Sequence, residues 1–400
     1  MKNDRKAVRS TRSARPPFNK RGRVEHSSTG PFFRGKKGFE LQFHWIFIMV
    51  AGGLILAFFF SVAHKQKELS QEKLQLTLAT DIENIFTGAI VSRGTAQRLP
   101  VPPQGIAFEC TQGCECRFRI GSAPRDFGDK AMFAPSILKD QDIVVWANEL
   151  KLPYRVTNFL YLTNPNIKYY FVYDDEPTSK LLLQQLAKNI PPLIEYENIT
   201  KTQLTSIKEQ DYQHTKFVLL NVQPATLDES FAKASASAIR IDERSVQFYT
   251  KDNRETTLQA GPILSYVGTP GLYAAIFAED STMYECGMRT AFRKLSYISK
   301  LYAERAAELE TKAIEAGKTW CTYGAPTTGG ICASTNDAEK CKSSATANTP
   351  VIDLLCQQHS CGKILAGKLN EAMLTPLNSL KQNLDAANRN YLQQSCPELF

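Results

Sequence analysis

The stretch KKGFELQFHWIFIMVAGGLILAFFFSVAHK, residues 36–65, decides how everything after it is read. From Phe43 to Ala63 no Asp, Glu, Lys or Arg interrupts the run. Twenty-one residues at 1.5 Å each make roughly 31 Å of helix, which matches a hydrocarbon core of about 30 Å. A secretory signal has a shorter apolar stretch ending in small residues, whereas Phe58, Phe59 and Phe60 stand near this end. His44 and Trp45 mark one end of the span, and His64, Lys65 and Lys67 mark the other. These features favour a permanent anchor, a transmembrane helix over residues 39–64, rather than a cleaved signal or the buried helix of a soluble protein.

The charge distribution orients the anchor. Residues 1–40 hold twelve Lys or Arg against Asp4, Glu25 and Glu40. That +9 exceeds the chain's total of +8, so the other 360 residues carry −1. The positive-inside rule predicts a cytoplasmic amino terminus and an extracellular remainder, in the cell membrane. Residues 1–38 are rich in Arg, Ser, Pro and Gly without apolar periodicity, and read as a disordered basic tail. A tail of this kind meets anionic lipid. It lacks aromatics interleaved for base stacking, so nucleic acid is disfavoured as a partner.

A second reading comes from Lys36–Lys37–Gly38–Phe39, which is similar to a prepilin peptidase site. Leu69, Leu76, Ile82, Ile85, Phe86 and Ile90 then extend one amphipathic helix, as a pilin spine does. The pilin pattern places Glu at the fifth position after the cut, where this chain has Phe43, and the acid here is Glu40 at the second.

Beyond the span, residues 65–88 read as a juxtamembrane amphipathic helix ending near Gly88. Residues 89–281 read as an α/β ectodomain, and 282–400 as a helical hairpin with a Cys-rich insert. IAFECTQGCECRFRIG (106–121) alternates as a hairpin, with Ile106, Phe108 and Cys110 on one face and Cys116, Phe118 and Ile120 likewise. Further strands are expected at 143–147, 155–162, 169–173, 194–197, 217–222, 238–241, 246–250 and 263–267. A helix is expected over 179–190 with Ser179 as its N-cap. The order strand, helix, strand, strand from 169 to 222 predicts a Rossmann-like core, so the fold class is α/β.

All ten cysteines lie after the span: Cys110, Cys114, Cys116, Cys286, Cys321, Cys332, Cys341, Cys356, Cys361 and Cys396. An even number in an exported segment reads as disulfides. Cys110 opposes Cys116 on the hairpin, leaving Cys114 at the turn to reach elsewhere. Two helices are expected, over 282–316 and from Thr375–Pro376 onward, with Leu377, Leu380, Leu384, Ala387 and Tyr391 inward. Packed antiparallel, they bring Cys396 toward Cys286. The other six cysteines suffice for three bridges within the loop-rich insert 317–362 and its neighbours. The rival for Cys356 and Cys361 is a metal site, since CQQHSC offers Cys-x2-His-x-Cys. Cys321, Cys332 or Cys341 would have to add its fourth ligand, without the two spaced ligand pairs of a zinc site.

No dinucleotide, phosphate-loop, nucleophile-elbow or zinc-protease signature occurs. No catalytic residue, metal or cofactor is therefore expected. Asp174, Asp175 and Glu176 follow a strand where α/β folds place ligands. They read as a solvated turn before a helix, with an ectoenzyme site as the alternative. Asn198-Ile199-Thr200 is a glycosylation sequon, and His214 stands without a partner motif.

Three segments, FELQFHWIF (39–47), LPYRVTNFLYLT (152–163) and AAIFAEDSTMYECGMRTAF (274–292), resemble a group of uncharacterised single-pass membrane proteins of archaea. The likeness covers roughly residues 36–300. It implies an archaeal cell membrane and transfers no activity and no functional residue. The expected function is binding or envelope scaffolding outside the membrane, through an unknown protein partner. Self-association through the juxtamembrane helix is a further expectation.

Overall fold

The computed structural model describes residues 40–92, 94–252, 254–324, 330–346 and 349–400. The basic tail and the Lys36–Phe39 site lie outside the described residues. The chain divides into two units, residues 1–66 and 67–400.

In the first unit the apolar run is helical, part of α1 (Glu40–Val91). Its large side chains are bare: Trp45, Phe47, Met49 and Phe60 are each about two-thirds exposed or more. None of its most apolar window is buried, and it is long and apolar enough to cross a membrane. A core helix of a soluble fold would have covered these side chains.

The second unit is a mixed α/β body. In chain order its strands are β1 (Ala96–Leu99), β2 (Ile106–Cys110), β3 (Cys116–Ile120), β4 (Ala123–Asp126), β5 (Ala131–Phe133), β6 (Ile137–Leu138) and β7 (Ile143–Lys151). They continue with β8 (Arg155–Thr163), β9 (Ile167–Tyr173), β10 (Tyr196–Thr200), β11 (His214–Leu220), β12 (Ala236–Ile241), β13 (Ser245–Lys251) and β14 (Leu258–Ser265). The helices are α2 (Pro177–Ala187), α3 (Lys201–Leu204), α4 (Gly268–Phe277), α5 (Ser281–Glu315), α6 (Asp337–Lys342), α7 (Val351–Gly367) and α8 (Glu371–Gln393).

The strands form three sheets, ordered β1-β7-β8-β5, β4-β3-β2-β6 and β10-β9-β11-β12-β13-β14. In the largest, β10, β9, β11 and β12 run parallel, and β13 and β14 complete it antiparallel. Parallel neighbours need a crossover, which α2 supplies between β9 and β10. β9 and β11 are apolar on both faces because both faces are covered. One side joins the main core, and the other packs Tyr170, Phe217, Leu219 and Phe231 into a separate cluster.

The later half of α1 serves this body. Ala79, Ile82, Phe86 and Ala89 are buried, and Phe86 meets Phe118 of β3 edge to face, 5.5 Å between centroids. Gln75 accepts from the Ser122 backbone N–H and hydroxyl at 3.0 and 2.9 Å. Gly88 therefore does not end the helix as expected. The chain remains helical to Val91, and the Ile90 carbonyl accepts from the Asn158 side-chain amide. This contact occupies much of the face expected to self-associate, leaving Leu69, Leu74 and Leu76 exposed.

The apolar helix α4 is buried from Gly271 to Phe277. Trp146 of β7 packs against Tyr161 with tilted rings and against Tyr273 edge to face, at centroid distances of 4.8 and 4.7 Å. Phe133 reaches the same core because α5 has Gly287 opposite it. A Cβ there would lie 2.4 Å from the ring.

Ser179 is not the cap of α2, which starts two residues earlier behind Glu176 with Pro177 in its first turn. Ser179 is fully buried, donating to the Leu220 carbonyl at 2.7 Å and accepting from the Asp174 N–H at 3.1 Å. It ties the end of β9 to the end of β11.

The C-terminal part departs most from expectation. CQQHSC is the middle of α7, a helix the sequence pattern does not announce. α7 packs on α5, and α8 packs on α7. An added helix reverses the direction of α8, so its end meets the end of α5. The Cys286–Cys396 pairing is thereby corrected, because Cys286 lies at the opposite end of α5. Cys396 bonds Cys321 and Cys286 bonds Cys114. The expected three bridges among the other six cysteines are corrected with it. Only two join members of that set, Cys332–Cys356 and Cys341–Cys361, while Cys321 and Cys114 take Cys396 and Cys286.

The insert is also less loop-like than expected, since Cys341 lies on α6 and Cys356 and Cys361 lie on α7. Cys332 precedes α6 with a positive φ of 62°, and its bond to Cys356 fastens that turn to α7. The Cys341–Cys361 bond clamps α6 to α7. Around the Cys321–Cys396 bridge, Tyr323 stacks on Tyr391 at 4.4 Å, and each phenol donates to a carbonyl of the facing segment. α8 starts earlier than expected, at Glu371. Asn370 caps it by accepting from the Ala372 N–H at 2.9 Å, which places Pro376 inside the helix.

Candidate functional site

A cleft of about 270 Å³ opens where the β12–β13 turn, the β14–α4 corner and α8 converge. The turn contributes Glu243 and Arg244, and the corner contributes Ser265, Tyr266 and Gly268. α8 contributes Glu371, Leu374, Thr375, Asn378, Ser379 and Gln382. Their spacing of three and four residues keeps one helical stripe turned to the cleft. Met373, Leu377, Leu380 and Leu384 face the core on another stripe.

The cleft's walls are held from behind. The Tyr266 phenol donates to the backbone carbonyls of Asp242 (3.1 Å) and Glu243 (2.5 Å), fixing its ring against the turn. Burial, then the nearby Glu243 and Asp242 carboxylates, pushes its pKa up to about 12. It is a neutral phenol at physiological pH. Leu374 is buried and apolar at the base. The side chains of Glu243, Arg244, Glu371, Asn378, Ser379 and Gln382 hydrogen-bond to no described residue. They are free to meet a ligand.

The residues singled out in the sequence fall elsewhere. Asp174–Glu176 form the turn into α2. Asp174 accepts from the Glu176 N–H at 3.2 Å, and Asp175 pairs with Lys180 at 2.9 Å while remaining fully exposed. The turn fastens a helix start. Asn198 is exposed on β10, the edge strand of the largest sheet.

His214 does have partners. Its two ring nitrogens lie 2.7 and 2.8 Å from the Ser235 and Ser237 hydroxyls. Burial holds its pKa down to about 4, against the pull of Glu279. Lys216, two residues on, donates to the Ala278 carbonyl and sits 5.9 Å from the Phe248 ring centre. Burial lowers its pKa to about 8, opposed by Glu279 and Asp280. Glu279 accepts from the Ser136 N–H and Asp280 caps α5, each at 2.8 Å. With its polar atoms committed inward, this cluster reads as a fastening between β11, β12 and the α4–α5 corner.

All ten cysteines are joined, as Cys110–Cys116, Cys114–Cys286, Cys321–Cys396, Cys332–Cys356 and Cys341–Cys361. Cys356 and Cys361 thus have no thiolate to offer a metal, and neither Cys321, Cys332 nor Cys341 can supply a fourth ligand. His359 lies 2.8 Å from the Ser296 carbonyl and 3.0 Å from its hydroxyl. Among the described residues no group of three or more His, Cys, Asp or Glu side chains is arranged to hold a metal.

The cleft carries no mark in the sequence. Its α8 stripe holds amides, hydroxyls and one carboxylate, the composition of any solvated helix face. Only the tertiary fold brings Arg244 and Tyr266 opposite it. No protein-family model, no curated protein and no solved structure matches this chain.

Proposed function

We propose that this protein is anchored in the cell membrane by residues 43–63 and acts outside it as a binding or scaffolding module. The observation that carries the proposal is the division of the chain's chemistry. A bare apolar helix long enough to span a bilayer precedes every cysteine, and all of them are in disulfides. Disulfides persist in oxidising compartments and are rare in the cytosol. The basic tail before the span agrees with a cytoplasmic amino terminus. Three segments resembling archaeal single-pass proteins support an archaeal setting. The parallel β10-β9-β11-β12 order and the α2 crossover support a Rossmann-like reading of the largest sheet. The free polar groups of the α8 cleft favour binding over catalysis, since no nucleophile and base are paired there.

A second reading, a pilin-like subunit processed after Gly38, draws on α1 itself. Its apolar residues are bare in the first half, and its second half lies on an antiparallel sheet. A subunit that leaves the bilayer for a helical bundle needs that division. Mass spectrometry of the protein from its native membrane separates the two. Residues 1–38 retained on a carbonate-resistant membrane protein support the anchor, and a start at Phe39 replaces it with the pilin reading.

A further inference from the structure

We infer that the α8 cleft binds a single sugar ring, either free or at the end of a glycan. The inference deepens the binding proposal above and rests on it. A volume of about 270 Å³ lies at the lower limit of small-molecule pockets and suits one ring, not a nucleotide or an extended chain. Inside it, hydrogen-bond donors and acceptors are interleaved. The amides of Asn378 and Gln382 each offer both, as do the hydroxyls of Ser265 and Ser379. Ser265 is nine-tenths buried, yet its hydroxyl bonds to no described residue while lining the cleft. An alcohol is the ligand group that donates and accepts at a single atom, so several adjacent alcohols fit this lining.

Charge narrows the class. Arg244 stands with two carboxylates, Glu243 and Glu371. The pair of acids disfavours phosphates and carboxylates, and the guanidinium offsets part of their pull on ammonium groups. A neutral ligand meets no net penalty, and its hydroxyls gain charge-assisted bonds from all three. Tyr266 and Leu374 supply the remaining element. A ring needs an apolar surface under its C–H face, and Tyr266 is held in place for this by its two bonds to the turn.

The test uses the full chain in lipid nanodiscs, free of glycosidic detergent, with saturation-transfer NMR. The probes are glucose, galactose, mannose and N-acetylglucosamine, their methyl glycosides, and one disaccharide of each. Acetate, methyl phosphate and N-acetylalanine methylamide serve as anion and peptide probes. At least one sugar is expected to receive saturation at millimolar affinity, as one ring's few atoms allow. Methyl glycosides and disaccharides bind if the site takes chain ends, and only free sugars bind otherwise. Asn378→Leu and Gln382→Leu, both at exposed positions on α8, should each weaken binding about tenfold. The inference is overturned if no sugar binds, if both variants bind sugar as well as the unsubstituted chain, or if the peptide or anion probes bind better. The membrane anchor is measured separately, so its failure and the failure of this inference are distinguishable.

Discussion

Gly362 and Gly367 lie in one helix, and the same substitution at the two should change stability in opposite directions. At Gly362 a Cβ would stand 2.8 Å from the Ser296 nitrogen and 3.0 Å from the Phe292 carbonyl oxygen. Both neighbours are backbone of α5, so no side-chain rotation relieves the contact. At Gly367 a Cβ meets nothing within 4 Å. Glycine in a helix costs about 1 kcal/mol relative to alanine, and overpacking costs about 1–3 kcal/mol. For Gly362→Ala the clash exceeds the propensity gain, because two packed helices must separate to admit the methyl. The expected net loss is about 1–2 kcal/mol. For Gly367→Ala only the propensity gain remains, reduced at the helix end to about 0.5 kcal/mol. Urea unfolding of the full chain in nanodiscs, followed by tyrosine and tryptophan fluorescence, reads both shifts from the midpoints. Equal shifts, or a stabilised Gly362→Ala, would refute the close approach of α5 and α7.

The disulfides should differ in weight. Removing Cys114–Cys286 by double alanine substitution releases a separation of 172 residues, and should cost about 2–5 kcal/mol. Removing Cys110–Cys116 releases a separation of six, and should cost about 2 kcal/mol on the same loop-closure argument. The reverse ranking in urea midpoints would contradict the pairing. Acid should also weaken the fold in a specific window. His214 has a folded pKa of about 4, below the unfolded value, so the unfolded chain binds the extra proton. Stability is full above about pH 6.5 and falls toward pH 4, by at most about 3 kcal/mol. His214→Asn should flatten that slope, and an unchanged slope would place the titration elsewhere.

Legibility in the sequence followed the range of the interactions. The span was readable because twenty-one uncharged residues leave few alternatives. The 106–121 hairpin was readable because alternation and a six-residue cysteine separation are local, and Cys110 does oppose Cys116 in register. Strand positions from β7 to β13 were close, though β1, β4, β5 and β6 carry too few residues to signal. α7 was hidden because its cysteines and polar residues obscure a helical stripe, although Leu354, Leu355, Gln358, Cys361 and Leu365 are buried. Missing that one helix turned α8 end for end and misassigned Cys286 and Cys396. It also left the partners of Cys332 and Cys341 unassigned within their set, because Cys356 and Cys361 reach them from successive turns of α7. His214 looked solitary because its partners, Ser235 and Ser237, come from the neighbouring strand β12 and the residue before it. The α8 cleft joins residues 243–268 to residues 371–382, and no local pattern marks a meeting across that distance.

The central claim is that the cysteines face an oxidising exterior while the tail before the span stays inside. Membrane-impermeant maleimide on intact cells tests it, with one cysteine introduced at Ser10 as an inner reporter. No labelling is expected at first, then labelling of native cysteines, led by the part-exposed Cys110–Cys116 bridge, after an impermeant phosphine, with Ser10→Cys reacting only after lysis. Native cysteines that react without reduction, or only once the cells are broken, would contradict it.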